Sequence, residues 1–116
     1  VKKGEITTAC QVYQECLALE FALRGVPFQE QPALALAYKG QPLQQTYRPD
    51  FVCYDKIILE LKVVSQLTDE HRAQVFDYLH ATGMQLGLLV NFGGYPDLEY
   101  ERVVLSDPRH GRQRRS

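Results

Sequence analysis

Residues 57–64, Ile-Ile-Leu-Glu-Leu-Lys-Val-Val, are apolar at every position but two. A run this short and this apolar reads as a β-strand covered on both faces, so the chain must build layers against each side of a sheet. Side chains alternate along a strand. Glu60 and Lys62 therefore share a face with Ile58 and Val64, while Leu59, Leu61 and Val63 point the other way. Unpaired charge in such a strand is costly, so these groups must pair, bind metal or change protonation state. A structural Glu–Lys pair meets that demand, and so does a ligand set.

A second segment, residues 47–53, carries Asp50 directly after Pro49. Proline cannot donate to a sheet ladder, which implies an edge or a bulge and a carboxylate projecting into a cleft. The loop around Asp55 and Lys56 returns this segment against the next strand, and its length decides the register. A two-residue loop pairs Asp50 with Leu61 and places it on the face opposite Glu60. A three-residue loop, 54–56, pairs Asp50 directly with Glu60, and a bulge near Pro49 has a similar effect. One of these last two is expected, because two acids and a lysine gathered in that way can hold a divalent cation beside a phosphodiester.

Residues 68–83 carry helix signals: Thr68 as cap, acids in the first turn and Gly83 as stop. His71, Gln74 and Tyr78 fall on one stripe beside Val75 and Leu79, which is either a face turned to a site or an ordinary solvated one. A capping pair, Thr8 with Gln11, marks the start of another helix running to about Leu23, with Gly25 ending it. Its apolar stripe is Ala9, Val12, Tyr13, Cys16, Leu17 and Leu23, interrupted by Glu20. Strands are further expected near 33–38, 86–92 and 102–105, with a turn at Lys39-Gly40 and a loop at 93–96. Helix, three strands, helix, two strands gives an α/β fold with a mixed central sheet flanked by helices.

Pro49-Asp50, Glu60-Leu61-Lys62, and Gln74 with Tyr78 four residues on, in that order, resemble the PD-(D/E)XK nuclease superfamily, including its RecB-like members. Further strings resemble the small GxxExxY family within it: Tyr13 with Glu20-Phe21, Tyr38-Lys39-Gly40, Phe51 after Asp50, Val63 after Lys62, His71 before Gln74, and residues 86–93. The resemblance spans roughly residues 8–105. The glycine and glutamate that name the family fall on Thr7 and Cys10, so that signature is missing.

This resemblance implies a restriction-endonuclease-like α-β-β-β-α-β-β core. It implies Mg2+ or Mn2+ held by Asp50, Glu60 and the carbonyl oxygen of Leu61, with Lys62, Gln74 and Tyr78 as catalytic residues and hydrolysis of a nucleic-acid phosphodiester as the reaction. Hard oxygen ligands suit those ions. An acid of the first helix often reaches the metal in this superfamily, which makes Glu20 a further ligand candidate; a rim acid paired with a basic residue fits the pattern equally. Two other readings remain open: a catalytically inactive binding or assembly module, and a salt-bridged core in which the lysine touches both acids.

The chain of 116 residues is one domain, expected over 1–108, with a basic flexible tail over 109–116. Four of its 13 basic residues sit in that tail, leaving nine against all 14 acids in the body, about −5. The body thus lacks the basic footprint usual in nucleic-acid binders, and the arginine tail is the candidate phosphate arm. Nucleic acid is the expected partner, DNA ahead of RNA, with a homodimer or protein partner supplying further surface. Cys10, Cys16 and Cys53 are odd in number and, like the three histidines, lack zinc-ligand spacing. No apolar run is long enough to cross a membrane and no signal-peptide core opens the chain, so a cytoplasmic location is expected.

Overall fold

The computed structural model describes residues 3–94 and 97–105, with side chains from residue 10 onward. The arginine tail therefore lies outside the described residues, as do Tyr95 and Pro96 of the expected loop.

The apolar run forms β5 (Ile57–Lys62), the middle strand of a five-stranded sheet. Antiparallel β4 (Phe51–Cys53) flanks it on one side and parallel β6 (Leu86–Asn91) on the other. A parallel pair needs a crossover, and α2 (Asp69–Thr82) supplies it. The edges are β1 (Phe28–Glu30) beside β4 and β7 (Glu99–Val104) beside β6, both antiparallel. A long first helix, α1 (Lys3–Leu23), precedes them. Within the main sheet the chain order is α1-β1-β4-β5-α2-β6-β7, which is the expected α-β-β-β-α-β-β core.

One strand of that core is not the expected one. The segment read near 33–38 leaves the main sheet and pairs as β2 (Leu34–Tyr38) with β3 (Gln41–Tyr47) in a separate hairpin, turning at Lys39 and Gly40. Its place at the edge is taken by β1. Three residues after a proline carry no readable alternation, but Phe28 packs on Phe21 and Phe51 with ring centroids 5.6 and 5.8 Å apart, which anchors the strand. The segment 47–53 is likewise broken, with β3 ending at Tyr47 and β4 starting at Phe51.

The strand alternation sorts the core into two layers. Ile58 and Val52 face α2, where Val75 and Leu79 cover them together with Leu89 and Val103. Leu59, Leu61, Phe51 and Cys53 face α1, which brings Leu17, Ala18 and Phe21 onto them. Each fully buried aliphatic side chain here stabilises the fold by about 1.5–3 kcal/mol. The first helix starts at Lys3 and not at the Thr8 capping pair, since no proline interrupts the preceding turn and a cap only permits a start. Its buried stripe also differs from the expected one: Val12, Leu19 and Leu23 stand exposed, because burying Phe21, and stacking Tyr13 on Phe92 at 4.5 Å, turns those residues outward.

The end of β5 is clasped by Asn91, which is fully buried. Its carboxamide oxygen accepts from the N–H groups of Val64 at 3.0 Å and Gly93 at 2.9 Å, and its Nδ2 donates to the Val64 carbonyl and to Glu99. Glu99 in turn accepts from the Leu67 N–H, which ties the entry to α2 into the same network. Gly93 passes so close that a Cβ there would lie 2.1 Å from the Val64 carbonyl oxygen, a backbone atom that cannot swing away. We expect Gly93→Ala to destabilise the protein by about 1–3 kcal/mol. Thermal unfolding checks this; an unchanged midpoint would show that the two loops separate freely.

Candidate active site

The turn between β4 and β5 decides what meets what. Residues 54–56 form a three-residue loop in which Tyr54 and Asp55 both adopt left-handed backbone, at φ 56°, and Lys56 donates its N–H to the Cys53 carbonyl. Cys53 then pairs with Ile57, Val52 with Ile58 and Phe51 with Leu59. One step further along this register sets Asp50 opposite Glu60, as the three-residue alternative requires.

At that step β4 has ended, because Pro49 has no N–H and the chain turns away toward β3. Side chains continue the ladder. The Asp50 N–H donates to Glu60 Oε1 at 2.9 Å, and the Leu61 N–H donates to Asp50 Oδ2 at 2.7 Å. Each carboxylate thus spends one oxygen on the opposite strand's backbone and keeps the other. Leu61 presents its carbonyl on the same strand edge as its N–H, beside Asp50.

Lys62 lies two residues beyond Glu60 on the same face. Among the described residues it forms no ion pair with either acid, although its charge bears on both. Direct contact with both acids is what a purely salt-bridged core would show, and it is missing. Burial raises Asp50 above its ordinary carboxylate range, opposed by the Leu61 N–H and by Lys62. Burial and the neighbouring Asp50 charge push Glu60 up to about 7. Two carboxylates and a carbonyl oxygen, all hard donors, fit Mg2+ or Mn2+, ions that keep several waters and lean on one or two carboxylates. No group of three or more His, Cys, Asp or Glu side chains gathers among the described residues.

The other expected residues divide. The Tyr78 ring reaches the site by stacking on Tyr47, with centroids 3.7 Å apart and planes within 5°. Gln74, one turn earlier, is exposed and hydrogen-bonds neither acid. His71 does not extend the stripe: its Nδ1 turns back to accept from the Thr68 N–H at 3.0 Å in a capping box. Glu20 does not join the acids. It is exposed and paired with Arg24 at 2.6 Å, one helical turn on. Among the described side chains of α1, Cys10 senses the site: its thiol is raised by burial and by the Asp50 charge and lowered by Lys62. Ten residues separate Cys10 from Glu20, about 15 Å of helix.

Tyr47 is the site residue that the sequence does not mark. It is buried at 6% exposure, and burial and then the Glu60 charge push its phenol upward. An aromatic three residues before Asp50 was its only signal, and the break at Pro49 conceals which face it takes.

The protonation pattern has a testable consequence. With Glu60 raised from an ordinary 4.5 to about 7, the folded chain holds a proton that the unfolded chain has already lost across that window. Stability of the metal-free protein therefore falls as pH rises from about 4.5 to about 7, by up to about 3 kcal/mol. We expect the thermal midpoint in chelator to drop between pH 5 and pH 8, and Glu60→Gln or added Mn2+ to flatten that drop. A midpoint that climbs over this range would contradict the assignment.

No curated protein sequence matches the chain. Among solved structures, an alkaline exonuclease (LHK-Exo) from Laribacter hongkongensis is similar at a TM-score of 0.61 and 15% identity, over 91% of this chain and 61% of that one. The structure of SSO0001 is similar at a TM-score of 0.59 and 18% identity, over 90% of this chain and 54% of that one. This chain thus spans a little over half the length of both, and at such identities the likeness speaks for the fold alone. The sequence profile of the PD-(D/E)XK nuclease superfamily matches residues 6–103, and the chain belongs to that superfamily.

Proposed function

We propose that this domain is a metal-dependent nuclease that hydrolyses nucleic-acid phosphodiester bonds, with Mg2+ or Mn2+ held by Asp50, Glu60 and the Leu61 carbonyl. The observation that carries this reading is the exchange of hydrogen bonds between Asp50 and the β5 strand, with Lys62, two residues beyond Glu60, paired with neither acid among the described residues. When bound, the cation supplies Lewis-acid polarisation of the scissile phosphate and a more acidic water.

The chain's own groups do the rest. Both acids are held in place before substrate arrives, so little reorganisation accompanies the reaction. Lys62, committed to neither acid, donates to a non-bridging phosphate oxygen and offsets charge that develops there. Gln74, exposed on the same face of α2 as Tyr78, is free to meet the substrate. DNA is the proposed substrate ahead of RNA, and a cytoplasmic location goes with it. No helix among the described residues is long and apolar enough to cross a membrane. The LHK-Exo similarity supports the nuclease reading at the level of fold.

Kinship with the GxxExxY family is part of the same reading. It is supported by the nearness of Cys10 to Asp50 and Lys62, since that is the position where the family's glutamate falls. The second reading, an inactive assembly module, draws on the outward apolar residues of α1, Val12, Leu19 and Leu23, which suit a homodimer or protein partner.

The test pairs binding with cleavage. Calorimetric titration with Mn2+ should show a site in the wild type that Asp50→Ala and Glu60→Ala lose. Cleavage of single- and double-stranded DNA and RNA should require the metal. Lys62→Ala should keep metal binding and lose about 10²–10³-fold in rate, the usual effect of removing one electrostatic stabiliser. Metal binding without cleavage of any substrate would favour the assembly module.

A further inference from the structure

Among the described residues, the Tyr47 hydroxyl is the one buried side-chain polar atom without a hydrogen-bond partner. Leaving a buried donor unpaired costs about 1–3 kcal/mol, and a phenylalanine would fill the same space without that cost. Such an orphan calls for an explanation in what the site does.

Three facts narrow it. The ring is held by packing: it is buried and stacks on Tyr78 with centroids 3.7 Å apart, at the last residue of β3. The carboxylate that bears most on the hydroxyl is that of Glu60, near enough to interact with it as an acceptor although the two form no full hydrogen bond, and Asp50 bears on it more weakly. Glu60 has already committed Oε1 to the Asp50 N–H, so its second oxygen is the one left to accept. An ionised carboxylate has about four acceptor positions, which leaves room for a cation and a phenol together.

We propose that Tyr47 is the positioning residue of the metal site: its hydroxyl donates to Glu60 once the carboxylate turns to hold the cation, and Tyr78 contributes through its ring, which locks Tyr47 in place. This rests on the metal reading above and reassigns Tyr78 from a catalytic group to a packing one. The strand that delivers Tyr47 belongs to the β2–β3 hairpin and not to the main sheet. The hairpin thus acquires a role, carrying the partner that sets the plane of Glu60.

Tyr47→Phe removes the hydroxyl and keeps the stack. Hydrogen-bonding partners of metal ligands typically contribute 10–100-fold to metal affinity. We therefore expect Mn2+ to bind Tyr47→Phe 10–100-fold more weakly than wild type by calorimetry, while the metal-free thermal midpoint stays level or rises. Tyr78→Phe should bind Mn2+ like wild type, and Tyr78→Ala should fall as far as Tyr47→Phe. Wild-type Mn2+ affinity in a folded Tyr47→Phe would overturn the proposal and leave the nuclease reading standing. A loss in Tyr78→Phe equal to that in Tyr47→Phe would overturn the packing role of Tyr78. Absence of Mn2+ binding in the wild type would remove the metal reading itself, and this proposal with it.

Discussion

Two hydrogen bonds between carboxylates and backbone, Asp50 N–H to Glu60 and Leu61 N–H to Asp50, hold the strands together where their own ladder stops. A proline at position 49 removes the donor that would have continued main-chain pairing, and the side chains restore what it removes. The exchange works only in one register. Shifting β4 by a single residue would send Asp50 to the α1 face, strand the Leu61 N–H and leave Glu60 facing α2 without its backbone donor. Sheet closure and site assembly are therefore one event, fixed by the left-handed turn at Tyr54 and Asp55. The acids remain costly to bury, which is why both sit above the ordinary carboxylate range.

The same end of the sheet carries a second polar network built on Asn91. It binds the backbone just beyond Lys62 to the Gly93 turn and, through Glu99, to the entry of α2. One network sets the acids and the other sets the strand exit and the helix that brings Tyr78. Both lie at the carboxyl ends of the parallel pair β5 and β6, where open α/β sheets leave a crevice for ligands. Arg72 of α2, bonded to Glu101 of β7 and to Asp69, fixes the helix from its far side.

Much of this was legible from local pattern. The apolar run with two charges identified β5 and its faces, and cap, acidic first turn and glycine stop identified α2 within a residue. Asp50 opposite Glu60 was one of the registers that the loop left open, expected through a three-residue loop or a bulge near Pro49, and the three-residue loop is the one found. Three features were not legible, each for a reason of long-range packing. The edge strand β1 is held by aromatic contacts with Phe21 and Phe51, which leave no period in a three-residue segment. Glu20 fell at helical spacing from apolar residues, but those residues face outward; in an amphipathic helix rich in apolar side chains, periodicity gives a stripe without saying which of two stripes is buried. Tyr47 depends on how the hairpin folds back over α2, which no short-range signal encodes.

The place of Cys10 bears on how many charges this site can carry. A carboxylate there would bring a third negative group near Asp50, beside a Glu60 whose protonation already extends to about 7. Like charges at close range raise one another further, so a third acid would favour neutral carboxyls in the absence of cation and would need more positive charge to ionise fully. A thiol raised by burial and by Asp50 stays neutral and adds no such demand. With Lys62 the nearby cation that lowers both acids, the charges of Asp50, Glu60 and Lys62 leave a net of one negative when both acids ionise. A single divalent ion more than neutralises that, and the surplus positive charge is what a phosphodiester would meet.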